Sequence, residues 1–137
     1  MSMREYREKL TIEARRVRAF LESRNSMTDN LFSRFPCGAC GNSTDLLGKW
    51  LCELGMNDVE YVSGFRKKSS HAWIECNSFL IDITSDQFQD GLGDVYVGPT
   101  NDFHRSFSNQ RRSVPELSRM LLEIYSEMRE TLTSQGR

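Results

Sequence analysis

Apolar residues at helical spacing mark three segments of this chain. The first covers residues 2–24, where apolar side chains recur every three or four positions among Arg and Glu. The second runs from near Cys40 to Leu54 and ends at Gly55, a residue favoured just after a helix. The third is predicted to start with Ser113 as its N-cap, with Pro115 in its first turn. The chain is thus predicted to have an N-terminal helix, an inner helix and a C-terminal helix.

Short runs rich in apolar and β-branched residues predict strands between the second and third helices. The predicted strands are 59–65, 71–76, 79–84 and a short one at 95–97. Asn77 and Ser78 separate two of these runs and suit a two-residue hairpin turn. The order of elements predicts an α+β fold, in which the second helix packs on a small, mainly antiparallel sheet flanked by the terminal helices.

Length and composition indicate one domain spanning residues 1–137. The chain has 38% hydrophobic and 27% charged residues, enough apolar side chains for one core. Its net charge of -1 gives no general attraction to nucleic acid or to anionic membranes, so neither is expected as a partner. We find no membrane-span or secretory-signal pattern and expect a soluble, cytoplasmic protein whose four cysteines are free thiols.

Cys40 occupies a position that favours reactive sulfur chemistry. It lies at the predicted start of the second helix, where backbone N–H groups and the helix dipole stabilise a thiolate. Gly38 and Gly41 keep side chains away on either side, and the Cys40 backbone N–H is available to an oxyanion. Cys40 is therefore the candidate nucleophile.

The predicted hairpin brings an imidazole and a carboxylate to one face of the sheet. With a two-residue turn, Cys76 faces Phe79 and Trp73 faces Asp82, so His71 and Asp82 are diagonal neighbours. The alternate positions of both strands are apolar, as a core face requires. Asp82 can then orient His71, which takes the proton of a nucleophile, as in acyl-transfer enzymes.

Three segments resemble the catalytic segments of bacterial transglutaminase-like proteins with a papain-like core. They are Phe35-Pro-Cys-Gly-Ala-Cys-Gly-Asn-Ser-Thr, Ser70-His-Ala-Trp-Ile-Glu and Ile81-Asp-Ile-Thr-Ser-Asp-Gln-Phe, within residues 31–88. The resemblance implies Cys40 as nucleophile, His71 as base and Asp82 as orienting acid, with Trp73 beside the site. We assign Trp73 and Gly41 to substrate binding.

That family includes peptidases, transglutaminases, deamidases, leader-processing proteins of lasso-peptide pathways and inactive members. The resemblance therefore implies cysteine-dependent acyl transfer on a peptide or glutamine amide through a thioester intermediate. The partner is a peptide or protein substrate, and no cofactor or metal is expected.

Two other functions compete with acyl transfer. Cys37 and Cys40 match the C-x-x-C spacing of redox dithiols, although no strand precedes them. Residues 75–102 contain six acidic residues and no Lys or Arg, which predicts an acidic rim that a non-catalytic binding module can use to hold a basic partner. A zinc site lacks a second closely spaced pair, because Cys52 and Cys76 are 24 residues apart. Both are predicted to be small buried apolar residues. His104 is predicted to lie in a surface loop.

Overall fold

The computed structural model describes residues 1–24, 32, 35–36 and 40–136. Within these residues the fold is α+β, with four α-helices and one sheet of five strands. The helices are α1 (Met3–Arg24), α2 (Cys40–Glu53), α3 (Asp102–Arg105) and α4 (Arg119–Ser134). The strands are β1 (Val59–Arg66), β2 (Ser69–Cys76), β3 (Phe79–Asp82), β4 (Tyr96–Gly98) and β5 (Ser108–Ser113). None of these helices is long and apolar enough to cross a membrane.

All neighbouring strands of the sheet are antiparallel, in the order β4-β3-β2-β1-β5. The main core lies between one sheet face and α1, α2 and α4, and it contains the alternate residues Ile74 and Cys76 of β2. A second, aromatic cluster covers the opposite face. Its buried members are Val62, Trp73, Leu80, Phe103 and Phe107. The central strand β2 is therefore buried on both faces.

Helix α2 has a well-defined end and a close approach to the sheet. Gly55 follows the helix with φ of 87°, and the Gly55 and Met56 N–H groups donate to the Cys52 and Leu51 carbonyls, which forms a Schellman motif. This confirms the predicted role of Gly55. A Cβ at Gly48 would lie 2.4 Å from Cγ of Pro115, so only a glycine fits there without displacing Pro115.

The hairpin between β2 and β3 has the predicted two-residue turn. Asn77 and Ser78 both have positive φ, 49° and 73°, as a turn that follows strand twist requires. Cys76 pairs with Phe79 and Ile74 with Ile81, so the predicted register is confirmed. This register assigns Ile74 and Cys76 of β2 to the main core and His71 and Trp73 to the other face.

The C-terminal third differs from the sequence prediction. Ser113 is the last residue of β5 and pairs with Tyr61, whereas α4 begins at Arg119 and its N-cap is Ser118, whose side chain accepts the Leu121 N–H. The predicted N-cap at Ser113 is therefore wrong. Strand β5 was not predicted. It is an edge strand with every residue exposed, and its sequence therefore shows no apolar alternation.

Candidate active site

Two buried imidazoles share one oxygen of a buried carboxylate at the end of β3. His71 Nε2 and His104 Nε2 each lie 2.6 Å from Asp82 Oδ2. The other oxygen, Oδ1, accepts the Thr84 backbone N–H at 2.9 Å. Each of the three side chains is 1% exposed. Both oxygens of Asp82 are therefore engaged, as a buried carboxylate requires.

These hydrogen bonds keep the Asp82 carboxylate ionised. Burial by itself would raise the pKa of Asp82, but the hydrogen bonds from His104 and His71 and their charges outweigh burial and lower this pKa to about 2. A carboxylate that stays negative can orient an imidazole and stabilise its protonated form. The predicted pairing of His71 with Asp82 is thus present.

The pKa of His71 responds to Cys40 as well as to Asp82. Burial would lower this pKa, but the Asp82 carboxylate and the nearby Cys40 raise it to about 9. The second ring nitrogen, Nδ1, is buried and has no hydrogen-bond partner among the described residues. Because Nε2 is occupied by Asp82, Nδ1 is the nitrogen available to the Cys40 thiol.

Cys40 is the first residue of α2, as predicted, and its side chain is partly exposed. It therefore combines access to solvent with a place at the positive end of a helix dipole. Cys37 and Gly38 lie outside the described residues. The predicted redox pairing of Cys37 with Cys40 therefore lies outside them as well. The other two described cysteines differ from each other: Cys76 is buried as predicted, whereas Cys52 is exposed near the end of α2, so its predicted burial is wrong.

Gly41 lets a tyrosine hydroxyl approach the start of α2. A Cβ at position 41 would lie 3.2 Å from the Tyr61 hydroxyl oxygen, a distance at which one of the two groups would have to move. Burial, together with the charges of Asp45 and Cys40, raises the pKa of Tyr61 to about 12, so the hydroxyl keeps its proton. Tyr61 is a polar group near Cys40 that the sequence reasoning missed.

Trp73 supports the imidazoles from within the aromatic cluster. It is 1% exposed, its ring centroid lies 4.7 Å from that of His104, and its Nε1 donates to Glu75 Oε2 at 3.1 Å. The position beside the site is as expected. The assignment to substrate binding does not match this burial, because a substrate cannot reach Trp73 without rearranging the cluster. Trp73 is a packing residue here.

His104 lies in the site and not in a surface loop. It belongs to α3, whose N-cap Asn101 accepts the His104 backbone N–H through Oδ1. The predicted surface position of His104 is therefore wrong. The available signal was local: Asn101 three residues before His104 is a capping pattern, and Phe103 with Phe107 supplies an apolar anchor.

Aromatic rings and one arginine enclose His71 from the remaining sides. The His71 ring centroid lies 5.0 Å from that of Phe88 and 5.4 Å from that of Phe107. Arg66 covers Phe107 at 4.6 Å from its centroid, and Asp90 holds the Arg66 guanidinium through two hydrogen bonds of 2.7 and 2.9 Å. The His71 imidazole is thus held in one orientation and shielded from bulk water.

The His71, Asp82 and His104 cluster contains donor atoms typical of a metal site, all within 4.8 Å of one another. Bonds of about 2.0–2.2 Å from nitrogen and oxygen to zinc keep donor atoms roughly 3 Å or more apart. Each imidazole nitrogen lies only 2.6 Å from Asp82 Oδ2, which is a hydrogen-bond distance. The arrangement fits protons between these atoms better than an ion.

Basic side chains from other parts of the chain neutralise the acidic stretch. Asp82 contacts two imidazoles, and each of the other five acidic residues lies within 4.0 Å of an arginine. These pairs are Glu75–Arg112, Asp86–Arg18, Asp90–Arg66, Asp94–Arg15 and Asp102–Arg105. The predicted rim therefore carries little unpaired negative charge.

Comparison with known proteins adds no relative to this description. No protein-family model, curated protein or solved structure matches the chain.

Proposed function

We propose that this protein is a cysteine-dependent acyl-transfer enzyme that acts on a peptide or glutamine amide, on a transglutaminase-like fold with a papain-like core. The observation that carries the proposal is the buried 2.6 Å hydrogen bond between His71 and Asp82, on an imidazole whose pKa Cys40 also raises. Nucleophile, base and orienting carboxylate then stand in the order that acyl transfer requires.

In the proposed reaction the Cys40 thiolate attacks the amide carbonyl carbon. A carbon–sulfur bond forms and the carbonyl electron pair moves to oxygen, which gives a tetrahedral oxyanion. Protonated His71 then donates its Nδ1 proton to the amide nitrogen, the carbon–nitrogen bond breaks and the amine leaves. The remaining thioester is attacked by water or by a second amine, whose proton His71 accepts, and the thiolate is released.

Two hydrogen-bond donors near the start of α2 suit the oxyanion. One is the Cys40 backbone N–H, because the N–H groups of the first helical turn have no partner within the helix. The other is the Tyr61 hydroxyl, which approaches Gly41 and keeps its proton. Under this proposal Gly41 contributes to substrate binding indirectly, because its missing side chain leaves room for the Tyr61 hydroxyl.

The rival functions have weaker support. A binding module that uses the acidic rim lacks an attractive surface, because arginines neutralise that rim. A redox function depends on Cys37, and it predicts a reversible disulfide between Cys37 and Cys40 under mild oxidation and loss of function in Cys37→Ser. Acyl transfer predicts that the reactivity of Cys40 depends on His71 and does not depend on a second thiol.

Site-resolved labelling tests the proposal. We expect an amide-mimic, thiol-directed probe to label Cys40 at neutral pH much faster than Cys52, an exposed thiol of the same helix that serves as internal reference. Labelling, located by peptide mass, should be lost in Cys40→Ala and fall by about 1,000-fold or more in His71→Gln and Asp82→Asn. Circular dichroism verifies that each variant is folded. Unchanged labelling of Cys40 in His71→Gln would refute the proposed mechanism.

A further inference from the structure

We propose that His104 is a positioning residue of this site, which holds the Asp82 carboxylate in the orientation that His71 needs. The inference rests on the proposed function and adds a fourth side chain to it. It starts from the hydrogen bond of 2.6 Å between His104 Nε2 and the same oxygen, Asp82 Oδ2, that His71 contacts.

Both ring nitrogens of His104 face acceptors. Nε2 faces the Asp82 carboxylate, and Nδ1 lies 3.0 Å from Asn101 Oδ1. The orientation of the Asn101 amide follows from its other contacts, since Oδ1 also accepts the His104 backbone N–H and Nδ2 donates to the Pro99 carbonyl. A neutral imidazole has only one N–H, so both contacts are satisfied only when His104 is an imidazolium.

An imidazolium at this place makes the buried cluster electrically balanced. His104 supplies one positive charge to a carboxylate that is fully buried, which offsets the cost of removing that carboxylate from water. With a Cys40 thiolate and a protonated His71, the four side chains alternate in sign along the contacts. Loss of His104 would leave Oδ2 with one partner and free the carboxylate to rotate away from His71.

The surroundings of His104 fix its ring in this position. Trp73 packs on it from β2, and Gln110 of β5 donates from Nε2 to the His104 and Phe107 carbonyls. Four charged or titratable groups face His104: His71 from β2, Asp82 from β3, Tyr96 from β4 and Arg66 from β1. The ring centroids of Tyr96 and His104 are 5.9 Å apart. Arg66 covers the neighbouring rings of Phe103 and Phe107. On α3 itself Asp102 pairs with Arg105.

Three full-length variants test the role. His104→Leu removes both donors, His104→Gln keeps one N–H that can reach Asp82, and Arg105→Ala removes an exposed ion pair of the same helix without touching Asp82. We expect labelling of Cys40 at pH 7, relative to Cys52, to fall about 10- to 100-fold in His104→Leu, less in His104→Gln and not at all in Arg105→Ala. The pH profile of Cys40 labelling should also differ between His104→Leu and wild type.

The outcomes separate this inference from the proposed function. If wild-type Cys40 reacts no faster than Cys52, both are overturned. If wild-type Cys40 reacts fast and in a His71-dependent manner, but both His104 variants keep its rate and pH profile, only the role of His104 is overturned. Should the variants fail to fold, ¹⁵N NMR of the wild-type imidazoles decides: a proton on His104 Nε2 at pH 7 supports the role, and its absence from Nε2 refutes it.

Discussion

At the residue scale, strand parity accounts for the part of the site that the sequence predicts. His71 and Asp82 meet because a two-residue turn sets the register, and the apolar alternation on the other face fixes which side chains point to the core. His104 and Tyr61 have no such signal. His104 reaches Asp82 from a four-residue helix 22 positions later, and Tyr61 reaches Gly41 only through the packing of α2 on β1.

Tyr61→Phe is the most informative single-atom change. Removing the hydroxyl takes one donor from the proposed oxyanion site, so we expect acylation of Cys40 by an activated amide or ester to slow by about 10- to 1,000-fold. Alkylation of Cys40 by a small neutral reagent, which forms no oxyanion, should be unaffected. Equal acylation of Tyr61→Phe and wild type, measured by stopped-flow release of the leaving group, would remove Tyr61 from the mechanism.

At the element scale, helix α2 holds Cys40 in place through contacts at its C-terminus and its middle. Its C-terminus ends in the Schellman motif at Gly55, and its middle packs against β2 and Pro115 at Gly48. The sequence predicts this helix to within a residue because its apolar spacing and its terminating glycine agree. The boundary of α4 was mispredicted because Pro115 looked like a first-turn proline, whereas it is a buried packing residue before the helix.

Gly48→Ala tests the close contact between α2 and the sheet. Alanine ordinarily favours a helix interior, yet the added Cβ would lie 2.4 Å from Cγ of Pro115 and 2.9 Å from Cδ1 of Ile74. We expect the free energy of unfolding to fall by about 1–3 kcal/mol, measured by urea denaturation. A stabilised Gly48→Ala protein would contradict the contact.

At the scale of the whole molecule, ion pairs between distant parts of the chain neutralise the charge that the sequence concentrates in one stretch. An acidic stretch without Lys or Arg looked like a binding surface, but arginines from α1, β1, α3 and β5 neutralise it. Arg18 is the most buried of them, with contacts to Asp86 and to the Ile83 carbonyl at 2.8 Å each. Composition along a segment cannot reveal partners that folding brings from elsewhere, so the ion pairs of the acidic stretch could not be predicted from it.

The pH dependence of stability follows from His71 and Asp82. The pKa of His71 rises from 6.5 to about 9 on folding, so the native state binds more protons over that range. Its stabilising contribution is complete below pH 6.5 and is lost as the pH rises through 9, by up to about 3 kcal/mol. Asp82, with its lowered pKa, contributes above pH 4 and loses its contribution as the pH falls towards 2.

Urea denaturation at pH 6 and pH 9.5 measures this loss. We expect wild type to lose stability across the interval and His71→Gln to lose much less, because the variant has no imidazole to titrate. Identical losses in the two proteins would show that His71 titrates normally in the native state.

The placement of Trp73 gives the protein a built-in optical reporter. The chain has two tryptophans, and they occupy opposite faces of the sheet: Trp50 in the helical core, and Trp73 against the His104 ring. Indole emission is quenched by contact with a protonated imidazole, so the brightness of Trp73 depends on the charge carried by its neighbour. Fluorescence of the unlabelled chain, with Trp50 replaced by Phe, therefore follows proton movements in the cluster in real time.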